Sequence, residues 1–247
     1  STALYRRGFG PFTPGFVSVP YGDYDALAAA ITPRTCAILI EPIQGEGGVI
    51  VPPAGFLKRA WGLCREHRVL FMADEIQTGL GRTGDLFACD HEAVTPDVLI
   101  VGKALGGGYY PISAVLASRD LMELFGPGDH GSTFGGNPLA CAVGIASLEV
   151  IERENLPARA RYAGARLMRA LRELASPAII EIRGRGLLVG LQLTVQARRV
   201  AELLLERGIV AKDTHENVLR IAPPLVVEDA EIDMLLRELR AALTAVL

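Results

Sequence analysis

At 247 residues, half of them hydrophobic, the chain is long enough to bury a substantial core as one large domain or two smaller ones. A net charge of -3 with mixed signs leaves no basic stripe for nucleic acid and no polybasic patch for a membrane surface. Apolar runs stay short of a spanning helix, and the opening STALYRRGFGPFTPGF lacks the cationic start and apolar middle of a signal peptide, so the expectation is a cytoplasmic protein.

The first twenty residues are rich in Gly, Pro and aromatics without a period, which predicts an extended arm. Tyr24–Ile31 reads as a short helix and Thr35–Ile40 as a buried strand ending at Glu41-Pro42. The following Gln44-Gly45-Glu46-Gly47-Gly48 then puts two acids on a turn, either facing a crevice or simply solvated. In Pro53–His67 the apolar Phe56, Leu57, Ala60, Trp61 and Cys64 share one helical face, so this helix covers a sheet. Val69–Ala73 is a second buried strand, ending on Asp74-Glu75-Ile76-Gln77. A Gly-rich loop occupies Thr78–Thr83, with a helical turn near Asp85–His91.

Asp97 to Gly108, DVLIVGKALGGG, is an apolar run that ends in a lysine at the lip of a glycine turn. Lys58, Lys103 and Lys212 are the only lysines among 25 basic residues, so a chain that otherwise uses Arg keeps Lys at the mouth of a strand. An amine has a titratable pKa and can form a Schiff base, which a guanidinium cannot. The bland alternative is a strand-end lysine reaching for solvent. Alternating strands and helices argue for a parallel α/β sheet, with strand ends at Glu41, Asp74 and Lys103 opening on one edge, where such sheets hold ligands.

A second short strand, Ile112–Leu116, and a helix around Asp120–Phe125 follow. The loop His130–Pro138 brings free hydroxyls and amides, Ser132 and Thr133 among them, to the start of a helix over Leu139–Ile151. That arrangement suits an anion or an ordinary cap equally well. Beyond Glu152 the pattern changes, giving a division into residues 1–152 and 153–247. The second part reads as an Arg-rich helix Ala158–Leu174, strands Ile179–Ile182, Leu187–Leu193 and Val218–Ala222, a helix Ala197–Glu206, and a closing amphipathic helix Glu228–Leu247. Cys36, Cys64, Cys89 and Cys141 form no CxxC pair, so neither a zinc site nor a disulfide framework is expected; reduced, buried thiols are.

An amine, an acid and an anion-friendly loop on one edge fit a pyridoxal 5'-phosphate site. Lys103 would hold the aldehyde and Asp74 would keep the pyridinium nitrogen protonated. Gln77 would reach the phenolic oxygen, and Ile76 would lie on the ring face. Without the second acid, such a lysine would point as well to an aldolase.

The stretches EPIQGEGGV, LFMADEIQTGLGRTG, LIVGKALGGGYYPISAVL, GSTFGGNPLACAVG and THENVLRIAPPL, in this order, resemble class III, fold type I pyridoxal-phosphate aminotransferases, and among these the ornithine δ-aminotransferases most. The resemblance implies an α/β fold: the mostly parallel sheet of an incomplete large domain, and a small carboxyl-terminal α/β domain. It matches Lys103, Asp74, Gln77 and Ile76 to the family's cofactor ligands. It also matches Ser132 and Thr133 to the loop that reaches the phosphate of a neighbouring subunit, which implies a homodimer. Glu46 and Arg220 match the pair that serves substrate choice; locally, Arg220 is an ordinary strand arginine.

The implied substrates are amino acids and 2-oxo acids, with ornithine and 2-oxoglutarate giving glutamate 5-semialdehyde and glutamate. Acetylornithine or 4-aminobutyrate transamination is the alternative, and a non-catalytic chain acting only by association is the alternative of another kind. The likeness covers roughly the last three-fifths of a full-length enzyme, so the phosphate-cupping helix start, the second ring-stacking aromatic and the groups holding ornithine's α-end are missing from it. A further segment is therefore expected in the active protein.

Overall fold

The computed structural model describes residues 6–247; the first five residues of the expected arm lie outside them. Residues 9–20 form no helix or strand. Helix α1 spans Tyr24–Ala30, with Asp23 Oδ1 accepting the Ala26 amide at 2.9 Å. Strand β1 is Ala37–Ile40, helix α2 is Phe56–His67, and β2 is Leu70–Asp74. Strand β3 is Val98–Val101 and β4 is Ala114–Ala117.

These strands form one sheet in the order β1-β2-β3-β4, parallel through β3, with β4 antiparallel at the edge. The sequence pattern conveys the parallel part. It does not convey the reversal, which the connection over residues 102–113, wound through successive turns from Lys103 to Tyr110, imposes by bringing the chain back alongside β3. The apolar face of α2 (Phe56, Leu57, Ala60, Leu63 and Cys64) packs on Ile38, Phe71 and Ala73 of the sheet. Leu63 takes the deep position that the sequence reading gave to Trp61, which is only partly buried.

The opposite face of the sheet departs from the expectation of strands buried throughout: Leu39 is 58% exposed and Val115 of β4 about as open, and on the α2 face the edge strand leaves Leu116 half-exposed as well. Of the four cysteines expected to be buried, Cys64 and Cys89 are, whereas Cys36 and Cys141 are exposed. Cys36 precedes β1 and Cys141 lies on the open side of the helix Pro138–Arg153, where no described element covers them.

A short helix α3, Arg119–Met122, and a long one, α4, Pro138–Arg153, follow. Asn137 caps α4, and Pro138 fills the first-turn position that needs no amide. Helix α5 is Leu156–Glu173, β5 Ile179–Arg185, β6 Leu188–Leu193, α6 Ala197–Leu205, β7 Lys212–Thr214, β8 Val218–Ile221 and α7 Asp229–Ala245. Here the sheet is antiparallel, in the order β5-β6-β8-β7. Its core joins Leu167 and Leu171 of α5, Leu191 and Leu193 of β6, Leu204 of α6 and Leu239 of α7. Strand β7 has no counterpart in the sequence reading, because Lys-Asp-Thr carries neither an apolar alternation nor a length that marks a strand.

The two sheets are joined by close backbone approach. A β-carbon on Gly186, at φ +55°, would lie 2.5 Å from the Thr83 carbonyl carbon, and one on Gly190 would lie 2.9 Å from Val49 Cβ. Only glycine lets these segments meet.

Candidate active site

Parallel pairing sets the strand ends side by side. Asp74, the last residue of β2, is opposite Ile100 in β3, and the Glu75 amide donates to the Ile100 carbonyl at 2.9 Å. Three residues on, Lys103 starts a 3-10 turn, Lys103–Gly106, with an exposed side chain. Its φ of +43° is in the left-handed region that a β-carbon disfavours, at a cost on the order of 1 kcal/mol. The turn is pinned from α4 by Ser147 Oγ, which donates to the Ala104 carbonyl at 2.8 Å.

Asp74 is half-buried, and one of its oxygens, Oδ1, accepts the Ile76 amide at 3.1 Å; no described residue donates to the other. Ile76 lies against the backbone beside the lysine, since a β-carbon on Gly102 would sit 3.5 Å from its Cγ atoms. Gln77 is held so close to the loop 45–49 that a β-carbon on Gly45 would strike its amide at 2.4 Å. Asp74, Ile76, Gln77 and Lys103 therefore share one strand-end edge.

The same edge carries an ionic cluster drawn from distant parts of the chain. Arg220 Nη1 on β8 donates to Glu46 Oε1 at 2.7 Å and to Gln77 Oε1 at 3.2 Å, while Gln77 Nε2 donates to Glu46 Oε1 at 3.3 Å. On the other side Lys212 Nζ donates to Glu46 Oε2 at 3.1 Å. Arg220 is only 14% exposed, whereas Glu46 is 48% and Lys212 57% exposed. The hydrogen bond from Arg220, helped by Lys212, holds the Glu46 carboxyl down at about 2.

Glu41, at the end of β1, is different. Burial pushes its carboxyl up, the Gly45 amide at 3.0 Å opposes this, and Asp74 pushes it further up while Lys103 pulls it down.

The Glu46 loop is fastened to the second sheet. Arg183 of β5 donates through Nε to the carbonyls of Gly48 (3.0 Å) and Val49 (3.2 Å), and through Nη2 to Gly48 again at 2.8 Å. Val49 is fully buried at φ +55° beside Ile43 and Leu188. Beneath Asp74, the buried Glu75 accepts the Cys89 amide at 2.8 Å and the Thr78 hydroxyl, and burial raises its pKa.

Ser132 and Thr133 make no described hydrogen bond to the residues of this edge. They lie on an exposed loop where Ser132 Oγ accepts the Gly135 amide at 2.9 Å, and no described hydrogen bond joins them to Lys103, Asp74 or Gln77. Arg183, Glu75 and Lys212 were missed as site residues. Of these, only Lys212 carried a signal, the rarity of lysine itself. No group of metal-ligating side chains occurs among the described residues.

The donor set suits a pyridoxal-type group. It has a free amine for an aldehyde, a carboxylate oxygen without a partner for a ring N–H, an amide for a phenolic oxygen and an apolar side chain at the ring face.

A parallel sheet with an amine and an acid at adjacent strand ends, tied to a small antiparallel unit, is the architecture of the fold type I class. The family model described as Aminotransferase class-III matches residues 1–243, and the chain belongs to that family. It is 56% identical over 244 residues to an ornithine aminotransferase of Bacillus cereus (strain Q1), covering 99% of this chain and 62% of that protein. The solved ornithine aminotransferase from Toxoplasma gondii, described with partial occupancy of PLP at its active site, superposes with a TM-score of 0.96 at 47% identity, covering 100% of this chain and 59% of that one. An acetylornithine aminotransferase from Elizabethkingia anophelis superposes at 0.90 and 45% identity, covering 94% and 63%. The chain thus spans about three-fifths of the length of the relatives it matches.

Proposed function

We propose that this chain is the part of an ornithine δ-aminotransferase that carries its cofactor amine and its substrate-selecting ion pair, acting with ornithine and 2-oxoglutarate. In this reading residues 1–152 belong to a large cofactor-binding domain and 153–247 to a small one. Pyridoxal 5'-phosphate, when bound, supplies an electron sink for the carbon that exchanges its proton. Lys103 would hold its aldehyde end, and Lys103 Nζ would carry the proton to and from the substrate carbon. Asp74 would accept from the ring nitrogen and keep it protonated, Gln77 would donate to the phenolic oxygen, and Ile76 would cover one face. Ser132 and Thr133, exposed and without a described hydrogen bond to Lys103, suit a phosphate held across a homodimer.

The observation that carries the substrate is the Glu46–Arg220 contact at 2.7 Å on the lysine's own edge. Ornithine presents no carboxylate at its δ-carbon, whereas 2-oxoglutarate brings one to its reacting carbon. An unpaired, largely buried arginine would be costly during the first half-reaction. Glu46 neutralises Arg220 then and releases it for the second. Four free cysteines, two of them exposed, fit a reducing cytoplasm. No described helix is long and apolar enough to cross a membrane.

The acetylornithine reading stays in view because of the Elizabethkingia neighbour. Half-reactions of the cofactor-loaded protein decide: ornithine should change the cofactor's absorbance at low concentration. A response to acetylornithine or 4-aminobutyrate without one to ornithine would overturn the choice, and a protein that binds no cofactor would favour the non-catalytic alternative.

A further inference from the structure

Lys212 is one of three lysines in an arginine-rich chain, and it sits directly across from Arg220 in the β7–β8 register. Two like charges facing each other across a strand pair repel, and Glu46 offsets this by placing one oxygen on each cation, 2.7 Å from Arg220 and 3.1 Å from Lys212. The cluster therefore holds two cations and one carboxylate, a surplus of one positive charge. We propose that Lys212 is a specificity-determining residue that receives the Glu46 carboxylate when a dicarboxylic substrate takes Arg220, so that the release is an exchange of partners.

The inference rests on the ornithine aminotransferase reading and deepens it. Without Lys212, opening the Glu46–Arg220 contact would leave the Glu46 carboxylate with no hydrogen-bonded cation, close enough to Glu41 for the two carboxylates to repel. With Lys212 the incoming carboxylate makes the count two against two. The second cation matters most to Glu46 when the first is occupied, because in the resting cluster the repulsion between Arg220 and Lys212 cancels part of its attraction. Ornithine brings no second carboxylate to this edge and so draws nothing from Lys212. The lysine's flexible stem and exposure suit it to follow a moving carboxylate, which Arg220, largely buried, does not do.

The test compares the native active enzyme with its Lys212→Met and Lys212→Arg variants. The readouts are kcat and KM in both half-reactions and, by calorimetry, the dissociation constant of glutarate, a dicarboxylate that cannot react. Lys212→Met should lower kcat/KM for 2-oxoglutarate relative to ornithine by roughly three- to fivefold, the weight of one partly exposed ion pair, through KM rather than kcat. Glutarate should weaken in proportion, and Lys212→Arg should restore most of both. In a Glu46→Gln background the Lys212→Met effect should vanish. An unchanged ratio in Lys212→Met, or an equal effect with and without Glu46, overturns the proposal. Should Glu46→Gln itself leave the substrate ratio unchanged, the ion-pair reading beneath it fails, a separate outcome.

Discussion

Replacing Glu46 by alanine strips Arg220 of its principal partner, and the structure sets the size of the effect. The carboxyl is held at about 2 against an ordinary 4.5, which on full conversion would correspond to about 3 kcal/mol. Nearly half of the side chain is exposed, so solvent screening reduces that to about 1–2 kcal/mol. Arg220, keeping only Gln77 at 3.2 Å, becomes free to grip any α-carboxylate. The kcat/KM for glutamate relative to ornithine should rise by about 5- to 30-fold in Glu46→Ala. Single-turnover absorbance changes of the cofactor-loaded enzyme with each amino acid measure it directly. A ratio within twofold of the parent would remove Glu46 from substrate selection. The pH dependence has a definite sign. A carboxyl depressed in the folded state gives its full stabilisation above the ordinary 4.5 and loses it as pH falls from there through about 2, so Glu46→Ala should flatten the acid limb of the stability profile in that window.

Asp74→Asn keeps the shape of the strand end but removes its charge, so turnover should fall by at least tenfold more than cofactor content; equal losses would make Asp74 a structural residue. Arg183→Met deletes the donors to the Gly48 and Val49 carbonyls and should cost about 2–3 kcal/mol in denaturant unfolding while shifting the glutamate-to-ornithine ratio in the same direction as Glu46→Ala. A stability loss with an unmoved ratio would show that Arg183 does not hold Glu46 in place. For Glu75, burial raises the folded pKa, so its contribution is greatest below the ordinary 4.5 and is lost as pH rises through the folded value. Glu75→Gln should remove that decline and leave the protein relatively more stable at pH 8 than at pH 5, compared with the parent; an identical pH slope in parent and variant would contradict it.

Much of the parallel sheet was legible because buried parallel strands are short apolar runs and their covering helix shows a 3.6-residue stripe, as in Phe56–His67. Lys103 and Asp74 stood out because each ends such a run. Strand β4 was legible at Ile112–Leu116 but its antiparallel direction was not, and the three-residue β7 was not legible at all, since reversal and register come from turns and neighbours rather than from the strand's own pattern. The ionic cluster is the extreme case. Glu46 meets Arg220 across 174 positions and Lys212 across 166, so no local window contains the interaction, and only the resemblance to a family pointed to the first pair. Arg183 had no signal at all, because its partners are backbone carbonyls that any sequence supplies.

In the proposed enzyme Lys103 Nζ would be the amine that holds the cofactor. Borohydride reduction of the cofactor-loaded protein followed by peptide mass mapping identifies that amine, because the sequence contains only three lysines to choose among. The expected result is a stoichiometric phosphopyridoxyl label on Lys103, with turnover lowered by several orders of magnitude in Lys103→Ala. A label on Lys58 or Lys212, or near-parental turnover in that variant, would contradict it.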